Sequence, residues 1–350
     1  MMYSRFVSWP ANCDSRCGHC VMYEHFGLVL MVNHASNVRC DCFTGTKFSR
    51  PMDYAIGARA IDRATASIAP GGVLELAFFG GEPLAEACLV LDFIDRARAR
   101  TCLRDIDLRL NLITYGTQTS AEAWEVMSLP DLDLSIKHDG LPHIHDRHRR
   151  SLDGGRASAC VEDTISHLIE GRKSFQVAMV VRPGTVDALA NAVRHLRTLG
   201  VTRVNPSLDL WAHWTAADTQ RLEAAIHDCA TVWATAMPDF SVSWFDEKAA
   251  PLARVPMGES VPCGFGAGEI AVAPSGSLYR CERLIGDDAP DDEMRLDGHA
   301  LHGEHFLIVG RGAAAAPSEE ACDGLLCLFN QVCLSETGRV LQEVARTRAS

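Results

Sequence analysis

The 350-residue chain lacks the run of about 18 apolar residues that a membrane-spanning helix needs. Its first residues, MMYSRFVSWPAN, hold neither the apolar stretch of a signal peptide nor a small-residue cleavage site. Both absences argue against export and membrane insertion, and the chain reads as cytoplasmic. It also lacks an excess of positive charge: 33 Lys and Arg stand against 45 Asp and Glu, a formal net charge of -12. A phosphate-tracking surface is therefore not expected, and nucleic acid is a poor partner. There is no internal repeat and no low-complexity tract beyond Ala313–Ala316. Cysteine, by contrast, is abundant, with 14 residues. Without a secretion signal these point to metal or redox chemistry, because the cytosol keeps thiols reduced and disfavours a disulfide framework.

The cysteines are unevenly placed. Cys13, Cys17 and Cys20 stand at one end, Cys263, Cys281, Cys322, Cys327 and Cys333 at the other, and Cys40 with Cys42 between. Cys88, Cys102, Cys160 and Cys229 stand singly in apolar or helical surroundings and read as core residues, since a free thiol behaves as a small hydrophobe.

Short β-like runs alternate with amphipathic helical ones over most of the chain. Strands are expected at Arg5–Trp9, Val73–Phe79, Leu108–Thr114, Leu132–Ile136, Phe175–Arg182 and Val201–Leu210, several apolar on both faces as in a buried parallel sheet. Helices are expected near 53–68, 85–99, 120–128, 157–171, 186–199 and 216–236. Six βα units with right-handed crossovers imply an α/β fold, an open or partial (β/α)6 TIM-like barrel over 1–236. Pro238, Pro251, Pro256 and Pro262 mark 237–262 as a linker or irregular segment. A smaller module over 263–350 follows, with a hairpin in GEIAVAPSGSLYRC, a loop-like stretch at 285–320 and a short final helix at 336–347.

In a parallel βα barrel the loops at the carboxyl ends of the strands converge on one rim, where sites are built. On these strands NCDSRCGHC follows the first, GGEP (Gly80–Pro83) the second, TYGT (Thr114–Thr117) the third and KHDG (Lys137–Gly140) the fourth. Three cysteines at C-x3-C-x2-C do not complete a four-ligand zinc site unless His19, His25 or the Cys40/Cys42 pair joins them. An iron–sulfur cube held by three thiolates leaves one iron open. An open coordination position marks a metal at which something else binds.

The pattern resembles the radical S-adenosylmethionine (radical SAM) enzymes, whose signature is C-x3-C-x2-C after the first barrel strand. The resemblance implies that Cys13, Cys17 and Cys20 hold a [4Fe–4S] cluster whose fourth iron is chelated by SAM, with His19 in place of the usual aromatic residue. It further implies that Gly80, Gly81, Glu82 and Pro83 form the motif that holds the SAM amino group. Glycines allow close backbone approach, and a carboxylate accepts from an ammonium. TYGT is similar to the family's T-N-G-T, with Tyr115 in place of Asn, so Thr114 and Gly116 are candidates on the ribose side. LSIKHDGLPHIHDRHRR resembles the family's "SIDGP-x-x-HDRHR" segment with Lys137-His138 inserted, making Ser135 a candidate SAM contact and Arg149 a candidate for its carboxylate. His143, His145 and His148 fit that segment, or a solvated polar loop, better than a metal site.

CGFGAGEIAVAPSGSLYRC, from Cys263 to Cys281, resembles the opening of the SPASM domain, an auxiliary-cluster module of radical SAM enzymes that act on peptides and proteins. Cys327 and Cys333 match its middle pair, but Gly324 and Thr337 stand where flanking cysteines belong and Cys322 is displaced. Five module thiols cannot hold two all-cysteine cubes, so one auxiliary [4Fe–4S] cluster is expected, with zinc or structural thiols as the alternative. Glu282 stands where sulfatase-maturing relatives place a catalytic base; the alternative is an exposed strand-end carboxylate. The implied function is hydrogen abstraction by a 5′-deoxyadenosyl radical from a side chain of a ribosomally made precursor peptide, ending in a carbon–carbon or thioether cross-link. The alternatives are a formylglycine-generating sulfatase maturase and, in another class, a non-catalytic iron–sulfur or zinc protein. The implied partners are the precursor peptide, an electron donor and, because the chain starts almost at the barrel, a separate leader-recognition protein.

Overall fold

The computed structural model describes residues 22–40, 51–152, 154–252, 268–306 and 319–349. The expected strand Arg5–Trp9 and the cysteines Cys13, Cys17, Cys20, Cys42 and Cys263 lie outside them. The chain divides into two compact units, 1–134 with 261–312 and 135–260 with 313–350. This is not the expected division at 236 and 263, and strand pairing is the reason. The hairpin that was assigned to a separate module adds to the sheet of the first unit, and the C-terminal helix belongs to the second.

The first unit is organised around a strand that the sequence pattern did not give, β1 (Tyr23–Asn33). Two strands flank it in parallel, β3 (Ile68–Gly80) and β10 (Glu269–Val272), so that Gly27 has Glu75 on one side and Glu269 on the other. β4 (Asp107–Thr114) continues the sheet in parallel beyond β3. β11 (Ser277–Tyr279) and β12 (Arg295–His299) extend the other edge in antiparallel fashion. Phe26, Leu28 and Leu30 of β1 and their register partners Leu74, Leu76 and Phe78 form one wholly buried face. Val29 and Met31 form the other, with Ala271, Ala273, Tyr279 and Ile285. Burial on both faces is why β1 is a continuous apolar run without alternation, a pattern that periodicity alone does not assign to a strand.

Helices α1 (Tyr54–Ala66), α2 (Ala87–Cys102) and α3 (Ala121–Ser128) lie within two or three residues of their expected bounds. Local chemistry fixes two of the starts. The Asp53 carboxylate accepts from Ala55 N at 2.8 Å, and the Ser120 hydroxyl accepts from Ala123 N at 3.1 Å. A short strand, β2 (Val38–Cys40), stands between β1 and α1.

The chain passes from the first unit to the second within β5 (Leu132–Lys137). In the second unit β7 (Phe175–Val181), β8 (Arg203–Leu208) and β9 (Ser241–Val242) run parallel. Between and after them come α4 (Pro142–His148), the short β6 (Arg149–Ser151), α5 (Ala157–Glu170), α6 (Leu189–Thr198), α7 (Ala216–Ala236) and α8 (Ser243–Leu252). A capping box starts α7, with Thr215 and Asp218 each satisfying the other's backbone N–H.

The C-terminus departs from expectation: residues Glu319–Ala349 form one 31-residue helix, α9, packed on α7 and α8. The helix contains Gly324 and Gly338, each of which costs about 1 kcal/mol in a helix interior. Tertiary packing outweighs that cost.

Candidate functional site

The GGEP turn after β3 is laid directly against the loop that follows β1. Gly81 N donates to Asn33 O at 3.1 Å, Glu82 N to Ala35 O at 2.8 Å, and Asn33 Nδ2 to Glu82 O at 3.0 Å. A Cβ on Gly81 would lie 2.3 Å from Ala35 O and 2.5 Å from His34 O. Glycine is therefore demanded here by the chain's own backbone, before any ligand is considered.

Glu82 is wholly buried. Its Oε1 accepts from Leu84 N at 2.9 Å and from the Thr114 hydroxyl at 2.7 Å, and its Oε2 accepts from Tyr115 N at 2.8 Å. Gly116, at φ 68°, turns back so that its N–H donates to Thr114 Oγ1 at 2.9 Å. The Tyr115 ring is buried against Val38, which accounts for an aromatic residue in place of Asn. Thr117 Oγ1 donates to Asn37 Oδ1 at 2.9 Å. The structure thus brings Gly80, Gly81, Glu82, Pro83, Thr114 and Gly116 together at the carboxyl ends of two neighbouring parallel strands. It adds a role that the sequence did not show: the Glu82 carboxylate pins the loop after β4 to the turn after β3.

The strand expected before the triplet, Arg5–Trp9, lies outside the described residues; β1 is an additional strand that stands between Cys20 and the GGEP turn in the chain. The loop that touches Gly81 and Glu82 is His34–Asn37, which carries Ser36, with Cys40 ending β2 beyond it. The Ser36 hydroxyl closes a local turn with Val38, accepting from its N–H at 3.0 Å and donating to its carbonyl at 2.8 Å.

In the second unit Ser135 lies inside β5, two residues short of its end, and its hydroxyl accepts from Gln176 Nε2 at 2.9 Å. Arg149 is buried and makes a two-pronged ion pair with Asp139, Nε to Oδ2 at 2.8 Å and Nη2 to Oδ1 at 2.9 Å. Against the cost of burial, the Arg149 guanidinium and the nearby Arg182 hold the Asp139 carboxyl well below the usual carboxylate range. His138 and His145 stack with ring centroids 4.6 Å apart, both inaccessible to solvent. Each accepts a backbone N–H at Nδ1, from Gly140 and Asp139 respectively, which puts the proton of the neutral ring on Nε2. Burial lowers His138 to about 4, and burial with the neighbouring His138 lowers His145 to about 2. They are neutral packing groups, and His143, which is exposed, does not join them.

Near the expected auxiliary site, Cys281 and Glu282 follow β11. Burial, and the Glu282 carboxylate whose Oε2 accepts from Cys281 Sγ at 3.3 Å, push the Cys281 thiol up to about 12. Burial, with Glu282 and Glu75 nearby, raises Glu269 to about 7. This carboxyl had no sequence signal, because its neighbours across the sheet are set only by register. Cys333 is a buried thiol inside α9, also pushed up to about 12 by burial.

Cys322, Cys327 and Cys333 all lie on that one helix, where separations of five and six residues correspond to about 7.5 and 9 Å of rise. Among the described residues no group of three or more His, Cys, Asp or Glu could hold a metal ion. Of the five expected auxiliary ligands, the described side chains are those of Cys281 and Cys333.

The parallel strands with interleaved helices define the class of fold, an α/β partial barrel. Neither a family model nor a curated protein matches the chain. Solved structures do. The chain is similar to anSMEcpe with bound AdoMet, at a TM-score of 0.63 and 17% identity over 79% of this chain and 74% of that one. The same protein with bound AdoMet and the Kp18Cys peptide matches at a TM-score of 0.63 and 16% identity over 80% and 79%. SuiB of Streptococcus suis bound to the precursor peptide SuiA matches at 0.54 and 14% over 77% and 63%. The fold expected from the sequence is thus the fold found. Among the described residues no helix is long and apolar enough to cross a membrane.

Proposed function

We propose that this protein is a radical SAM enzyme that acts on a side chain of a ribosomally made precursor peptide, joining it in a carbon–carbon or thioether cross-link. The observation that carries the reading is the buried Glu82, which locks the turn after β3 to the loop after β4 at the carboxyl ends of parallel strands. In folds of this kind ligands bind at that rim. The fold is shared with anSMEcpe and SuiB, radical SAM proteins seen with AdoMet and with peptides.

In this reading Cys13, Cys17 and Cys20 hold a [4Fe–4S] cluster, Gly80–Pro83 receive the SAM amino group, and Thr114 and Gly116 line the ribose side. Reductive cleavage of SAM at such a cluster supplies a 5′-deoxyadenosyl radical, which takes a hydrogen atom from the substrate. The protein's part is positional. Glu82 places a buried negative charge at the rim, and its bonds to Thr114 and Tyr115 hold the neighbouring loop in register with it. The reading requires an external electron donor.

The test is anaerobic reconstitution, a count of iron and sulfide, then addition of SAM and a low-potential reductant with analysis for 5′-deoxyadenosine. Its absence from a fully reconstituted sample, or an unchanged yield in Cys17→Ala, refutes the reading. A second reading, oxidation of a cysteine or serine to formylglycine, is favoured by Glu282, a carboxylate held beside Cys281 in the position of a base. A formylglycine product on a sulfatase-derived peptide would decide for it.

A further inference from the structure

We propose that the Glu269 carboxyl is a proton-operated latch on the β10–β12 edge of the sheet, holding the start of β10 on β1 while it carries its proton and loosening it when it ionises. The arrangement lies wholly within the first unit. Glu269 is the first residue of β10, and strand register sets Gly27 of β1 beside it and Glu75 of β3 beyond. The Glu269 side chain is laid over Gly27: a Cβ there would lie 3.0 Å from its Cγ and 3.2 Å from its Oε2. No side chain on the middle strand therefore stands between the two carboxyl groups.

The charges that act on Glu269 are of one sign. Glu75 has its Oε1 accepting from Asn111 Nδ2 at 2.9 Å and its Oε2 3.4 Å from His25 Nε2. Glu282, after β11, is the second carboxylate, with Cys281 beside it as a neutral thiol. The cations belong to these neighbours: His25 faces Glu75, Arg109 is the register partner of Glu75 on β4, and Arg283 Nε stands 4.0 Å from Glu282 Oε1. Burial and the two carboxylates raise Glu269 to about 7. A glutamine would fill the same space without charge, whereas a carboxyl makes the hold of the strand depend on pH. An opened strand end returns Glu269 to water and to its ordinary 4.5, so closure is favoured most below pH 4.5, weakens as pH rises, and levels off above 7. The opening is local. Ala271, Ala273 and Tyr279 stay packed with Val29 and Met31, and Arg63 Nη1 holds the carbonyls of His299, at 2.7 Å, and Ala300, at 3.1 Å, at the end of β12.

Hydrogen exchange on the full-length protein tests the latch and needs neither SAM nor substrate, so its outcome is independent of the function proposed above. Protection is followed from pH 5 to 8 in segments 24–30 and 268–273, corrected for the chemical exchange rate, with β7 of the second unit as the reference. In wild type, protection of these two segments should fall about tenfold per pH unit between about pH 5 and 6.5 and level off above about 7. In Glu269→Gln the fall should disappear. In Glu75→Gln it should be smaller and level off at a lower pH, because one of the two like charges is gone. Flat protection in wild type, the same fall in Glu269→Gln, or an equal fall in β7, which would make the opening global, overturns the proposal. Should Glu269→Gln melt well below wild type at pH 5 and so prove misfolded, Glu75→Gln decides: a profile identical to wild type overturns the latch, and a shifted one supports it.

Discussion

Replacing Glu82 with alanine would strip the acceptor from three buried donors at once: Leu84 N, Thr114 Oγ1 and Tyr115 N. Each buried donor left unpaired costs about 1–3 kcal/mol, so the loss is on the order of 3–9 kcal/mol, against about 5–15 kcal/mol for a whole domain. Glu82→Gln is milder. An amide oxygen in the place of Oε1 keeps Leu84 N and the Thr114 hydroxyl, but the amide nitrogen then faces the Tyr115 N–H, and one bond is lost at about 1–3 kcal/mol. The expected order of stability is wild type, then Gln, then Ala. Urea unfolding measures it, with the Ala midpoint lowered by more than about 1 M. Hydrogen exchange at the Leu84 and Tyr115 amides localises the effect. An Ala variant with an unchanged midpoint and unchanged protection at Tyr115 would refute the argument that Glu82 pins the two loops, whatever it does to ligand binding.

Stability should fall in mild acid, because His138 and His145 are held neutral, at about 4 and about 2 against an ordinary 6.5. Below pH 6.5 the unfolded chain takes up protons that the folded one refuses. Each histidine then removes up to about 1.4 kcal/mol per pH unit, down to pH 4 for His138, and denaturant midpoints in His138→Leu should depend less steeply on pH. Glu269 acts in the opposite sense: raised to about 7 from an ordinary 4.5, it favours the fold most below pH 4.5 and progressively less as pH rises through 7. Glu269→Gln should therefore raise the melting temperature at pH 8 and leave it little changed at pH 4. Cys333→Ala should lower the melting temperature through the space it empties while leaving the iron content of reconstituted protein unaltered; a drop in iron would restore Cys333 as a ligand.

Most of the local architecture was legible in the sequence. The helical spacing of α5, α6 and α7 and the apolar runs of β4 and β7 place those elements within about three residues of where they are found. Periodicity and caps are local properties, and Asp53, Ser120 and Thr215 act on their own helices. β1 was missed because a strand buried on both faces has no alternation to detect. Only the last part of α9 was expected, at 336–347, because the hold on residues 319–335 comes from packing on α7 and α8, which no local pattern encodes.

The sequence by itself determined the α/β class, the GGEP turn and the TYGT loop as places of interest, since these depend on residue type and short spacing. Only the tertiary structure decided who their partners are. β1 stands between the triplet and the GGEP turn, Glu82 serves three backbone and side-chain donors, and Arg149 pairs with Asp139. The bonds of Glu82 to Thr114 and Tyr115 join residues more than 30 apart in the chain, and strand register, which no local pattern encodes, selects them.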